Sequence, residues 1–99
     1  MAKSFILIET DEEMKETVKD VIRRHPAVSA VYTVVRAGGD DNVIYDIVVK
    51  VEANTRQDLD DAESEIRTRK EVRSTLTLEV VEEEEETVNH NRNRYLQLG

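Results

Sequence analysis

The hydrophobic residues near the start of the chain form a strand-like run followed by a helical stripe. Phe5 to Ile8 is continuously apolar, which is typical of a strand that is covered on both faces and central in its sheet. Thr10 and Glu13 then match a helix capping box. Apolar residues follow at i, i+4, i+7 and i+8, namely Met14, Val18, Val21 and Ile22. This pattern predicts a helix over residues 11–24.

Two β-rich segments follow the helix and predict a hairpin. Residues 28–36 are rich in Val, Thr and Tyr, and residues 43–52 alternate with period two. On the second strand one face carries Tyr45, Ile47, Val49 and Val51, and the other carries Asp46, Val48 and Lys50. Gly38 and Gly39 lie between the strands, where they fit either a long hairpin turn or a backbone cradle for an anion.

The second half of the chain predicts one more helix and one more strand. Asn54 or Thr55 caps a helix whose apolar stripe is Leu59, Ala62 and Ile66. Residues 72–81 then alternate, with Leu76, Leu78 and Val80 set against Thr75, Thr77 and Glu79. The element order is therefore β-α-β-β-α-β.

This order predicts an α+β fold, the ferredoxin-like βαββαβ sandwich. Right-handed crossovers place both helices on one face of an antiparallel sheet, with the first and third strands in the middle. The other face is expected to carry Val48, Val81, Thr75, Thr77 and one side of residues 28–35. That surface is too apolar to be left in water, and a second copy of the same sheet would cover it.

Composition supports a single small domain that associates with itself. The 99 residues are 38% hydrophobic and 36% charged and include no tryptophan. This composition gives a small hydrophobic core for a monomer. A net charge of -8 disfavours direct binding to nucleic acid. The absence of cysteine, of a signal-like segment and of a membrane-spanning run favours the cytoplasm and no contact with a membrane.

Several motifs together resemble the effector-binding domain of the Lrp/AsnC family of transcription regulators. They are "FILIET" before the first helix, "HPAVSAVYTV" after it, "YDIVVKVEA" opening the second half and "IRTRKEVRSTLTLEVV" closing it. The resemblance covers roughly residues 3–81, and the order of the motifs is more specific than any one of them. The domain is assigned to residues 1–81, and residues 82–99 form an acidic and polar tail.

The resemblance implies an assembly and a role. Such domains pair sheet to sheet as homodimers and assemble further into tetramers or octamers. The family's helix-turn-helix has no counterpart in this sequence, so we expect a stand-alone effector domain. The implied partners are a small amino-acid effector and a full-length Lrp/AsnC regulator. The tail begins with five acids, residues 82–86, and ends in "YLQL". It is either a disordered end or an extra strand that docks on a partner subunit.

The resemblance also implies a ligand site, built in the family from a Gly-x-Tyr-Asp turn and polar residues of the fourth strand. Tyr45 and Asp46 match the turn, and Val43 stands where the family has glycine. A β-branched side chain there shields the backbone N–H groups that a carboxylate would approach. By this analogy Asp46 binds a ligand ammonium and backbone near Tyr45 its carboxylate. The matching fourth-strand residues are Ser74, Thr75 and Thr77.

The residues themselves leave other interpretations open. Asp46 could instead pair with Lys50 or a backbone amide, and the fourth-strand hydroxyls could simply satisfy a dimer face. A cofactor-free monooxygenase built from paired ferredoxin-like domains is the alternative function. No nucleophile motif, phosphate loop or metal-ligand spacing can be picked out, so no catalytic residue, cofactor or metal is assigned. Asp40-Asp41-Asn42 lacks the Gly and distal Glu of a calcium loop.

Overall fold

The structure, a computed structural model, describes residues 1–35 and 46–83. Four strands and two α-helices account for most of these residues. In chain order they are β1 (Ala2–Glu9), a 3-10 turn (Glu12–Met14), α1 (Lys15–Arg23), β2 (Val28–Thr33), β3 (Ile47–Ala53), α2 (Arg56–Arg67) and β4 (Ser74–Glu79).

The four strands form one antiparallel sheet in the order β2-β3-β1-β4. Strands β1 and β3 are central, as the apolar run of the first strand predicts. Both helices pack on one face, and the arrangement is the ferredoxin-like α+β sandwich expected from the sequence. The described part of the chain thus confirms the predicted fold class.

The core lies between the helices and one face of the sheet. Ile6 and Ile8 of β1 are fully buried beside a row of β3 side chains, Ile47, Val49 and Val51. The helices add Val18, Ile22, Leu59, Ala62 and Ile66 to this cluster. Because β-branched and aliphatic side chains fill both layers, hydrophobic burial between sheet and helices provides the main stabilisation of the subunit.

The start of α1 differs from the predicted capping box. Thr10 is 5% exposed, and its Oγ1 donates a hydrogen bond to the carbonyl of Glu71 at 2.8 Å instead of capping a helix. The 3-10 turn of residues 12–14 precedes α1, and neither helical segment has a side-chain N-cap hydrogen bond. Thr10 therefore ties the β1–α1 connection to the segment that leads into β4.

Thr55, one of the two predicted N-cap residues, caps the second helix. The Thr55 hydroxyl accepts a hydrogen bond from the Asp58 N–H at 3.1 Å, which satisfies one of the free donors at the helix start. Leu59, Ala62 and Ile66 are buried as predicted, and Glu63 is buried with them. No helix within the described ranges is long and apolar enough to cross a membrane.

The sheet face away from the helices carries two rows that run across the strands and are apolar except for Lys50. One row places Tyr32, Val48, Leu7 and Leu76 side by side, and the next places Ala30, Lys50, Phe5 and Leu78 side by side. The exposed fraction is 51% for Tyr32, 44% for Leu76 and 50% for Leu78. We call this surface the open face.

The facing of β4 is the reverse of the prediction. Thr75 and Thr77 lie opposite Ile8 and Ile6, so they face the helices, whereas Leu76 and Leu78 point to the open face. The reason is the register with β1, because paired residues of neighbouring antiparallel strands share a face. The open face is consequently more apolar than the sequence led us to expect.

Strand ends also differ from the predicted bounds. Strand β2 ends at Thr33 and β4 spans only Ser74–Glu79, while β3 begins at Ile47 and continues to Ala53. The hairpin tip with its two glycines, Asp40-Asp41-Asn42, Val43, Tyr45 and the tail from residue 84 lie outside the described residues. The domain division and the docking of the tail stay predictions.

Core packing by α2 is testable by truncation. Leu59 is fully buried, so Leu59→Ala is expected to lower the free energy of unfolding by about 2–5 kcal/mol through lost burial and a cavity. Gln57→Ala, on the exposed side of the same helix, should change it by about 0.5 kcal/mol or less. Urea unfolding at one fixed protein concentration measures both. Equal effects would contradict the assigned core.

Candidate ligand site at the end of the central strand

The C-terminal end of β1 lies between the starts of two other strands. The Asp46 N–H donates to the Ile8 carbonyl at 2.8 Å on one side, and the Arg73 N–H donates to the Glu9 carbonyl at 2.9 Å on the other. These main-chain bonds place Asp46 and Ser74 on opposite sides of the same strand end. The connection to α1 begins at the same point with Thr10, so three segments converge here.

The Asp46 side chain contacts Thr10 and Lys15, which lie near this strand end, and does not pair with Lys50. Its Oδ2 accepts a hydrogen bond from the Thr10 N–H at 3.3 Å, and its Oδ1 lies 3.9 Å from Lys15 Nζ. The side chain is only 15% exposed. Lys50 pairs with Glu52 at 3.2 Å instead. Of the partners considered from sequence, the backbone amide is therefore present and Lys50 is not.

Two cations and several acids alternate around this strand end. Lys15 Nζ lies 3.1 Å from Glu12 as well as close to Asp46. Arg73 Nη1 donates to Asp11 Oδ1 at 3.1 Å, and both of these side chains are more than half exposed. The arrangement offers positive and negative groups within one small area, which is the charge pattern that complements a zwitterion.

Sequence reasoning missed Thr10, Lys15 and Arg73 as members of this region. Lys15 is the first residue of α1, where the helix dipole disfavours a cation. A basic residue in this position is stabilised by acidic neighbours, and Lys15 has two, Glu12 and Asp46. That mismatch between charge and helix end is the signal in the sequence that could have identified Lys15.

The predicted fourth-strand residues do not gather at one place. Ser74 pairs with Glu9 at the strand end, and Thr75 pairs with Ile8 one step further in. Thr77 lies opposite Ile6 and faces the helices, where its Oγ1 is buried with no hydrogen-bond partner among the described residues. Asp46, Ser74 and Thr75 are thus brought to one end of the sheet, and Thr77 is not. Val43 and Tyr45 lie outside the described residues, so the complete ligand set stays a prediction.

Two surface depressions formed by described residues lie elsewhere. One, of about 150 Å³, is lined by Met1, Lys3 and residues 80–83. The other, of about 360 Å³, lies between α2 and the α1–β2 turn and includes His25, Glu52 and Glu65. Neither is lined by Asp46, Ser74, Thr75 or Thr77.

Proteins similar to this chain are found among solved structures. No protein-family model and no curated protein matches the chain. The crystal structure of FFRP-DM1 is 33% identical, with 82% of this chain and 100% of that chain covered and a TM-score of 0.68. The protein PHS023 from Pyrococcus horikoshii is also 33% identical, with 84% and 93% covered and the same TM-score.

Longer regulators share the fold over part of their length. AsnC of Escherichia coli is 21% identical with a TM-score of 0.65, and 83% of this chain matches 52% of that one. This chain therefore spans about half the length of such regulators. Its fold is that of an AsnC-type regulatory domain. FFRP-DM1 and PHS023 match over nearly their whole length, so the chain belongs to the same family as these two proteins, and its fold is that of the Lrp/AsnC-like effector-binding domain.

The buried contact between Asp46 and the Thr10 N–H yields a stability prediction. Asp46→Ala leaves that N–H without its acceptor, so we expect the free energy of unfolding to fall by about 1–2 kcal/mol. Asp20→Ala is the matched control, because it removes an exposed pair with Arg23 at 3.0 Å and should cost about 0.5 kcal/mol or less. Chemical unfolding compares the two. A loss no larger for Asp46→Ala than for the control would show that its carboxylate is not structurally engaged.

Proposed function

We propose that this chain is an effector-binding and oligomerisation domain that serves transcription regulation. Two copies pair through their open faces, and each holds a small amino-acid-like effector near the C-terminal end of β1. The observation that carries the proposal is the pair of apolar rows across the sheet face that the helices leave uncovered. An apolar surface of this kind on a small domain marks an interaction site.

The composition of the open face favours a second copy as the partner. Its two rows contain aromatic and aliphatic side chains from all four strands, so a copy related by a two-fold axis would bring like rows together. The side chains are Phe5, Leu7, Tyr32, Val48, Leu76 and Leu78. Burial of such side chains on both subunits is the main driving force that an interface of this type requires.

Charges on this side of the sheet are paired within the subunit. Lys50 contacts Glu52 at 3.2 Å, and Lys3 contacts Glu83 at 2.8 Å. The hydrogen bond from Lys3 holds the pKa of the Glu83 carboxyl below its ordinary value. Because Lys3 and Lys50 already have acidic neighbours, a second copy can approach the apolar rows without facing an unpaired lysine at these two positions.

The charges at the strand end support an amino acid as effector class. Asp46 offers a carboxylate for an ammonium, while Lys15 and Arg73 offer cations for a carboxylate. A regulator with the same fold, NMB0573 from Neisseria meningitidis, 13% identical with a TM-score of 0.58, is described as a complex with L-Met. On these grounds the proposed role is binding and not catalysis, and a full-length regulator of the family is the proposed further partner.

Pairing through the open face predicts a defined solution mass. Light scattering should give at least twice the chain mass of 11.4 kDa. Leu78→Lys places a charge within the open face and should shift the protein to single chains at micromolar concentration, because a buried unpaired charge is strongly unfavourable. Thr17→Lys, which introduces the same charge at an exposed position of α1, should leave the mass unchanged. A wild-type protein that is monomeric at this concentration would refute the proposal.

The effector site is tested separately by calorimetry with free amino acids. We expect at least one amino acid to bind to the wild-type protein at millimolar concentration or below. Asp46→Asn should weaken that binding at least about tenfold, since loss of one charge-assisted hydrogen bond costs roughly 1.5–3 kcal/mol. Asp20→Asn serves as the control for a changed surface charge. If no amino acid releases heat, the sensing role is wrong and the assembly role is unaffected.

A further inference from the structure

A second group of polar side chains lies between α2 and the sheet, on the side opposite the open face. Asp60 and Glu63 of α2 and Glu79 at the end of β4 each offer a carboxylate oxygen, and these atoms lie within 4.8 Å of one another. We call these three residues the acidic cluster. Asp60 and Glu79 are exposed, whereas Glu63 is only 3% exposed.

Glu63 is placed where the helix stripe would ordinarily carry an apolar residue. It lies four positions after Leu59 and three before Ile66, both of which are in the core. Its Oε2 is buried and has no hydrogen-bond partner among the described residues. A buried carboxylate oxygen without a partner is strongly unfavourable, so this atom calls for a cationic partner.

A buried hydroxyl next to the acidic cluster is also without a partner. Ser4 lies directly opposite Glu79 in the β1–β4 register, so the two side chains share the helix-facing side of the sheet. Ser4 is fully buried, and its Oγ has no hydrogen-bond partner within the described residues. The Oγ1 atom of Thr77, two positions before Glu79 on the same face, is also buried and has no hydrogen-bond partner within the described residues. Three orphaned oxygens therefore lie on one side of the sheet, near α2.

The charge balance favours a divalent cation. Arg56 binds Glu79 Oε2 at 2.7 Å, so it neutralises one of the three carboxylates and leaves Glu79 Oε1 available. With the carboxylates ionised, the acidic cluster and Arg56 together carry two negative charges. The donors are all oxygen atoms, which hard cations such as Ca²⁺, Mg²⁺ and Mn²⁺ prefer.

The number and type of the ligands favour calcium within this class. Calcium binds oxygen at about 2.3–2.6 Å, so oxygens on opposite sides of the ion are separated by up to about 5 Å. The separations in the acidic cluster fall within that limit without movement of the backbone. Magnesium demands near-ideal octahedral geometry and keeps several of its waters, so a cluster of three protein carboxylates suits it less well.

We propose that Asp60, Glu63 and Glu79 form a Ca²⁺ site, in which Glu63 is the buried ligand and the Ser4 and Thr77 hydroxyls lie beneath it. The ion would enter from solvent past Asp60 and Glu79. It would link α2 to the end of β4 and remove the unsatisfied charge from the core. The site lies on the helix side of the sheet and does not depend on the pairing of open faces.

The test uses the full chain, freed of metal with EDTA, and calcium chloride or magnesium chloride as the probe. Calorimetry should show one Ca²⁺ per chain. At a Ca²⁺ concentration tenfold above Kd the melting temperature should rise by about 6 °C or more. Magnesium should bind more weakly. Absence of binding and of any melting shift at millimolar Ca²⁺ would overturn the proposal.

Two variants separate this site from general attraction of cations to an acidic protein. Glu63→Gln keeps the shape of the side chain and should weaken Ca²⁺ binding at least about tenfold. In EDTA it should melt at or above the wild-type temperature, because it removes the unpaired buried charge. Asp61→Asn changes an exposed acid of the same helix and should bind Ca²⁺ like the wild type. Equal binding by Glu63→Gln and the wild type would contradict the assignment.

Discussion

A four-stranded sheet has two faces, and in this chain two helices cover only one of them. The covered face holds Ile6, Ile8 and the buried residues of β3, while the other carries Leu7, Leu76 and their neighbours. Within residues 1–35 and 46–83 no helix packs on that second face. In the proposed dimer, the need to bury the second face governs how the domain assembles, and assembly in turn decides what surrounds the strand end that carries Asp46.

The candidate ligand site and the open face belong to the same strands, which gives a physical route between them. Strand β1 ends at the convergence of Asp46, Thr10 and Arg73, and its side chains Phe5 and Leu7 lie in the two rows of the open face. A ligand that orders the strand end would also affect the position of these rows. In the proposed dimer, effector binding and subunit pairing are consequently linked through a single central strand.

Local hydrophobic periodicity was enough to predict the order of elements, the central strands and the helix stripes, as in Val18 and Ile22 or Leu59 and Ile66. The facing of β4 could not be predicted in this way. When both faces of a strand are apolar enough to be buried, alternation alone does not say whether Leu76 or Thr77 faces the helices, and only the register with β1 decides. The acidic cluster was equally hidden, because Glu79 lies sixteen positions after Glu63 and meets it only through the packing of α2 on β4.

The central claim is that the open face of one chain is buried against the open face of another. It is tested most directly by nuclear magnetic resonance on a mixture of isotope-labelled and unlabelled chains, with detection restricted to contacts between different copies. The account predicts cross-peaks between copies from the methyl groups of Leu7, Leu76 and Leu78, and none from Val18 or Ile22. Cross-peaks confined to the helices, or none at all in a protein that tumbles as a single chain, would contradict it.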